Sequence, residues 1–483
     1  MKKKGIMMMV LLMATLNMAA QDEEVMVRGR IENVTEYSIP SSEKGLRKVG
    51  STVSAPLVCQ GSPKVPVILV QFPDLPFTIG ETDEIVKGLF NAHFNAGEGV
   101  KPGTSDFSVR EYFRQQSDNQ FTPDFDVIGP VTVSKSYTYY GKDRGNSRDI
   151  NINEFYREAC RQAVLHDVDW NLYDNDGNGV VDFVYFIYAG IGQNQNAAES
   201  NVIWPKECTT RFAVSGDDFT VIFGSFGCSC ELFQKHMDGV GLSIHELCHG
   251  LGLPDLYDYN QKVYGMDYWD LMDSGCYKQN GHMPVGLSAY ELDFLGWRKL
   301  VELTPDSAYS LKLDPLETGG IGYKVVNKAN PNEYFILENR QNIGVDQYIG
   351  YLVSSHEETF GENHGLLITH VNYSQSSWSS NSINTTDASR QRFTIVPADG
   401  QTVSANYGAN DEWASSQHGD LYPGDNNVTE ISSYAVFTGG TLGQTINNIV
   451  EHEDGTITLD INGGKPIEEP EDPLVEPDIP EIA

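Results

Sequence analysis

Apolar positions are spaced in two different ways along this chain, and the change falls near residue 300. Before it, short continuous apolar runs alternate with stretches whose apolar residues recur every three or four positions. Val65–Phe72 (VPVILVQF), Val127–Val133 and Val181–Ala189 have the run length and β-branched content of buried strands. Val109–Gln116 (VREYFRQQ) and residues 153–166 have helical spacing. Strands interleaved with helices predict an α/β or α+β catalytic-type domain. After Leu300 the runs shorten, as in Tyr334–Glu338 (YFILE), Gly365–Val371 (GLLITHV), Arg392–Val396 (RFTIV) and Thr456–Ile461, with Gly, Asn, Ser and Asp clusters between them. That pattern predicts an all-β, sandwich-like domain.

The two ends read differently. Lys2, Lys3 and Lys4 precede an apolar stretch from Ile6 to Ala19, and Ala19-Ala20 is followed by the acidic run Gln21-Asp22-Glu23-Glu24. This is the layout of a secretory signal peptide over residues 1–20, too short in its apolar part to span a bilayer. Residues 21–60 read as a pro-segment, 61–300 as the catalytic domain, 301–463 as the β-rich domain, and 464–483 as an acidic, Pro-rich solvated tail.

With 33 Lys+Arg against 67 Asp+Glu, the formal net charge is −34. A surface of that sign repels phosphate backbones, which excludes nucleic acid as a partner class and leaves carboxylates to spare for hard cations. Seven cysteines in an exported chain allow three disulfides and one leftover thiol, and Cys208 with Cys228 or Cys230 is the expected bridge. Cys59 is expected to be a disulfide partner, with a second reading in which its thiolate covers an open metal position.

Ser243–Asp258 reads SIHELCHGLGLPDLYD. On a helix, His245 and His249 stand one turn apart on one face, as two ligands of one zinc ion require. Glu246 sits between them, beside the metal rather than on it, where a carboxylate takes a proton from an activated water and returns it to a leaving amine. Ile244, Leu247, Cys248 and Leu251 form the buried face. Gly252 permits a sharp turn that brings Asp255 round as a third ligand, leaving a fourth position open for catalysis.

Four further features accompany this site. Met272, in YWDLMDSG, is placed to floor the metal site, and Tyr277 shortly after it to stabilise an oxyanion. Upstream, DNDGNGVVD puts Asp174, Asp176, Asn178, the Val180 carbonyl and Asp182 at the positions of a structural calcium loop, although position twelve is Tyr185 instead of Glu. Phe219–Gly224 (FTVIFG) is a candidate sheet edge for an extended substrate.

HELCHGLGLPDLYD, the WDLM turn, KVPVILVQFPD, SVREYFRQQSDNQF with FDVIGPVTV, and the Asp/Asn/Gly loop before VDFVYFIYAG together resemble the secreted immune inhibitor A-type metallopeptidases, zincins related to metzincins. EYFILENRQ, GLLITHVN and GDLYPG extend the likeness, which covers residues 60 to 430 or so. The resemblance implies an α+β zincin-like catalytic domain, zinc on His245, His249 and Asp255, Glu246 as general base, calcium-dependent stability, and secretion as a zymogen acting on extracellular proteins. The chain departs from the family at Cys248 and in its C-terminal end, short beside multidomain members, so no large accessory binding module is expected. The competing class is a calcium-stabilised extracellular binding or adhesion protein with a non-catalytic metal centre; oligomeric state is not legible.

Overall fold

The computed structural model describes residues 31–36, 56–96, 105–195, 200–260, 262–353, 359–385, 389–403, 411–432, 434–437 and 440–464. The expected signal peptide and all but the first residue of the expected tail lie outside these. Among the described residues no helix is long and apolar enough to cross a membrane.

The continuous apolar runs become the middle of a mixed sheet. Its strands are Ile31–Glu36 (β1), Lys64–Gln71 (β2), Asp124–Thr132 (β3), Val181–Ile191 (β4), Lys206–Gly216 (β5), Thr220–Phe233 (β6) and His236–Met237 (β7). They lie in the order β1-β5-β6-β4-β2-β3, with β7 beside β6. The inner pairs β2/β3, β2/β4 and β4/β6 are parallel, so helices must cross over and cover both faces. β5 returns antiparallel to β6, and β1 is antiparallel to β5.

Six helices belong to this part: Asp83–Asn95 (α1), Val109–Gln116 (α2), Tyr137–Tyr140 (α3), Ile152–Ala163 (α4), Val240–Gly250 (α5) and Ala289–Leu295 (α6). Alternation along the strands assigns them to faces. On one face Tyr156 of α4 stacks on Phe226 of β6, ring centroids 5.0 Å apart. On the other, Phe94 of α1 meets Tyr185 of β4 at 5.6 Å, and Ser243 of α5 meets Ser229 of β6 at 3.4 Å.

The second part is mostly β. Val301–Leu303 (β8), Tyr309–Leu313 (β9), Tyr323–Val326 (β10), Glu333–Arg340 (β11), Tyr351–Val353 (β12), Thr359–Glu362 (β13), Gly365–Asn372 (β14), Phe393–Ile395 (β15), Ile446–Glu451 (β16) and Ile457–Ile461 (β17) are joined by loops and two helices, Gln375–Ser379 (α7) and Asp411–His418 (α8). A five-stranded sheet, β15-β14-β11-β10-β8, faces a three-stranded one, β16-β17-β9, and β12 and β13 form a separate hairpin.

β11 and β14 are buried along their whole length, because each of their faces has a different neighbour. Phe335 and Leu337, with Leu366 and Ile368, join Leu313, Leu459 and Ile461 in a core between the two sheets. Tyr334 and Ile336, with Leu367 and Val371, point the other way into the core that contains the zinc-motif helix. Polar ties reinforce that second contact. Fully buried Arg340 pairs with Asp346 at 2.7 Å and with Glu338 at 3.0 Å, while Glu338 accepts from the Ala289 amide at 2.7 Å.

Several expectations are corrected here. All seven cysteines are free thiols. Cys208 pairs with Phe226 and Cys228 with Lys206 in the β5/β6 ladder, so the two expected partners sit diagonally and not opposite each other, and Cys228 lies 3.5 Å from the Tyr156 hydroxyl. Cys59 is no disulfide partner either; its thiol donates to the Leu295 carbonyl at 3.6 Å. Phe219–Gly224 runs into β6, whose Val221–Phe223 are paired with β5, so the strand lies inside the sheet and β5 lies outboard of it. Separately, residues 31–36, within the expected pro-segment, form a strand on the outer side of β5 at Phe212–Gly216.

Candidate metal centre

The HELCH segment lies on α5, where Val240, Leu242, Ile244, Leu247 and Cys248 are all buried. Gly241 lets the start of this helix touch the turn 274–281, since a Cβ there would stand 2.0 Å from the Cys276 carbonyl oxygen. That approach brings Tyr277 toward the helix.

The helix stops in a Schellman turn. Leu253 N–H donates to the Cys248 carbonyl at 3.0 Å and Gly252 N–H to the His249 carbonyl at 2.8 Å, with Gly252 at φ +94°. The chain then reverses and carries Asp255 back over the helix. His245 Nε2 and His249 Nε2 each lie 3.2 Å from Asp255 Oδ1, and the three groups converge on one point.

Both histidine rings are oriented by backbone carbonyls. His245 Nδ1 is 2.9 Å from the Leu271 oxygen and His249 Nδ1 is 2.8 Å from the Leu253 oxygen. A carbonyl only accepts, so a hydrogen sits on each Nδ1 and each Nε2 faces inward, its lone pair open to an ion once its own proton has left. Asp255 Oδ1 is buried without a hydrogen bond, while Oδ2 accepts from the Tyr259 hydroxyl and Asn381 Nδ2, both at 2.6 Å. Two inward lone pairs and an orphaned carboxylate oxygen fit a small divalent cation with mixed N and O preference, as zinc has. Burial works against the charge on Asp255, but the histidines outweigh it and hold the carboxyl well below the usual carboxylate range.

Glu246 is buried, and its Oε2 has no hydrogen-bond partner. Burial pushes it up to about 7, against the pull of His245 and His249. Met272 is fully buried; its carbonyl accepts from the Leu256 amide at 2.9 Å, so the Met272 turn steadies the chain next to Asp255 while Leu271 steadies His245. Half-buried Tyr277 accepts from Asn194 Nδ2 at 3.2 Å. Its phenol is held up by burial, then by Cys276, and also by the charge of Glu246.

At the upstream loop three of the expected calcium groups come together. Asp174, Asp176 and Asp182 have carboxylate oxygens within 4.8 Å of one another. Asn178 lies beside them, its Oδ1 accepting from the Val180 amide at 2.9 Å and its Nδ2 donating to Asp176. Burial, with Asp176 and Asp174 adding to it, pushes Asp182 up to about 7.

Sequence reasoning missed Leu271, Leu253, Tyr259, Asn381, Tyr257 and Glu207. The first two act through backbone oxygens, which carry no sequence signal. Tyr259 stands four residues past Asp255 and was within reach of a pattern argument. Asn381 arrives from 126 residues downstream. The half-buried ring of Tyr257 packs edge-on against Tyr259, centroids 5.1 Å apart, and its phenol is raised by burial and then by Asp255.

Residues 58–299 match the family model described as immune inhibitor A peptidase M6, catalytic domain. Over 269 residues the chain is 28% identical to the pre-pro-metalloprotease PrtV of Vibrio cholerae serotype O1, covering 48% of this chain and 29% of that protein. Over 285 residues it is 25% identical to immune inhibitor A of Bacillus thuringiensis subsp. alesti, covering 50% of this chain and 41% of that protein. The matched stretch therefore spans less than half the length of these curated relatives.

Proposed function

The chain belongs to the immune inhibitor A peptidase M6 family, and from that premise we propose that it is an exported zinc-dependent endopeptidase acting on extracellular proteins. The observation that carries this reading is the orphaned Asp255 Oδ1 facing two histidine Nε2 atoms whose opposite nitrogens are already committed.

In this proposal His245, His249 and Asp255 hold the ion. Zinc there supplies a Lewis acid that polarises the scissile carbonyl and acidifies a water. Glu246 takes the proton from the attacking water through its unpartnered Oε2 and passes it to the leaving amine. Tyr277, together with Tyr257, donates to the developing oxyanion. An extended substrate lies along β5, the strand outboard of β6, with its backbone paired to Lys206–Arg211. Asp174, Asp176 and Asp182 hold a calcium ion that fixes the loop before β4, Asn178 and the Val180 carbonyl completing its shell. Residues 1–20 direct export and residues 21–60 form a pro-segment ahead of a catalytic domain, 61–300, and a β domain, 301–463.

Elemental analysis of the purified protein beside Glu246→Gln and His249→Ala, with cleavage of a denatured protein substrate, tests the reading. About one zinc per chain is expected in the wild type and in Glu246→Gln but not in His249→Ala, with cleavage in the wild type alone. Absence of zinc after reconstitution, or near-normal cleavage by Glu246→Gln, overturns it.

A further inference from the structure

Glu207 stands on the zinc-helix face of the sheet, one strand outboard of β6. Strand alternation and the partners of its neighbours fix this side. Lys206 turns to the opposite face, where its Nζ reaches Asp149 at 2.5 Å, and Cys208 shares that face with Cys228 and Tyr156. Glu207 and Thr209 therefore turn toward α5, as do their ladder partners Gly227 and Ser225, in the same row as Ser229, which touches Ser243 of α5.

Glu207 is half-buried, and its one hydrogen bond among the described residues comes from the Thr209 hydroxyl at 3.3 Å. Among the described residues no Lys, Arg or His forms an ion pair with it, and its nearest basic neighbour in sequence, Lys206, is taken by Asp149. Burial raises its pKa, and the charges it feels are those of the metal cluster: His249 lowers it, Asp255 raises it, and Glu207 in turn raises Glu246. On the outer edge of this strand β1 pairs with Phe212–Gly216, and no other described strand runs alongside Lys206–Thr210 there. A carboxylate with no cation among the described residues, facing the cluster from a strand with no described partner on its outer edge, is a receptor for a positive side chain on whatever lies along that edge.

We propose that Glu207 is a specificity-determining residue that selects a lysine or arginine side chain of the substrate close to the scissile bond. The inference rests on the peptidase reading given above and names its substrate class. A substrate ammonium or guanidinium entering there forms a charge-assisted pair, and a neutral side chain leaves the carboxylate as it is in the free protein.

The test uses the zinc-loaded chain and peptide pairs carrying arginine or its neutral isostere citrulline, scanned from three residues before to three residues after the cleaved bond. At one position the wild type is expected to favour arginine by about tenfold or more in kcat/KM. Glu207→Gln brings that ratio to near one, and Glu207→Asp keeps part of it; ratios taken within one preparation cancel any loss of folded protein. Dissociation constants of the same pairs with Glu246→Gln, which does not turn over, should show the same preference. Arginine-to-citrulline ratios near one throughout in the wild type, or equal in wild type and Glu207→Gln, overturn the proposal while leaving the peptidase reading intact. Glu207-dependent arginine binding with no cleavage of any peptide by the wild type would instead overturn the peptidase reading and retain Glu207 as the site of recognition.

Discussion

The Tyr259 hydroxyl donates to Asp255 Oδ2 at 2.6 Å, and that bond, with the one from Asn381, leaves Asp255 Oδ1 alone to face His245 and His249. Outer partners of this kind set how firmly a ligand is aimed. Tyr259→Phe keeps the ring contact with Tyr257 and removes only the hydrogen bond. Zinc affinity, measured by competition with a chromogenic chelator, is expected to fall about tenfold or more. Asn381→Ala should act in the same direction. Unchanged affinity in both variants would show that Asp255 is aimed by its loop alone.

Gly252 occupies a backbone conformation, φ +94°, that side-chain-bearing residues avoid. Gly252→Ala is expected to cost about 1–2 kcal/mol of stability. The same turn carries the Leu253 oxygen that orients His249, so zinc affinity should drop together with stability. Chemical unfolding with and without zinc separates the two effects: the loss persists without metal and grows with it.

Asp238 lies just before the zinc-motif helix, where burial pushes its carboxyl from 3.8 up to about 7 despite hydrogen bonds from Cys230 and the Gly239 amide. A raised folded pKa means that the stabilisation is complete below pH 3.8 and is lost as pH rises to about 7. Asp238→Asn removes that slope. Relative to the wild type it should gain up to about 4 kcal/mol between pH 4 and pH 7 and nothing more above. Urea titrations across this range that run parallel for the two proteins would count against a protonated Asp238.

The proposed calcium ion would bind the folded loop and not the unfolded chain, so millimolar calcium is expected to raise the melting temperature by about 5 °C. Asp176, exposed in that loop, can be changed without disturbing the core. In Asp176→Asn the calcium-induced rise should vanish, while melting in excess chelator stays at the wild-type value. A rise of equal size in both proteins would place the effect elsewhere.

Legibility in the sequence followed the reach of the interactions. His245, Glu246, His249 and Gly252 act within one helix and its turn, so their spacing carries the geometry. Val109–Gln116 was bounded correctly as α2 because Ser108 caps it locally, its side chain accepting from the Glu111 amide. β1 was invisible, since its partner lies about 180 positions away on β5 and its own pattern is weak. Asn381 reaches the site from the turn after α7, 126 positions from Asp255, and Glu207 through the register of β5 on β6, and no local spacing reveals either. The expected disulfides failed for a related reason: pairing depends on strand register, and register places Cys208 and Cys228 diagonally across Tyr156.

Asn381 also binds Asp255 through its backbone, since Asn381 Oδ1 accepts from the Asp255 amide at 2.6 Å. Both ends of that side chain grip the third corner of the cluster, and they come from the β-rich half. Grafting a different β-rich half onto the metal-binding half therefore alters the surroundings of Asp255 itself, and the graft keeps the grip only where it carries the asparagine or an equivalent clamp.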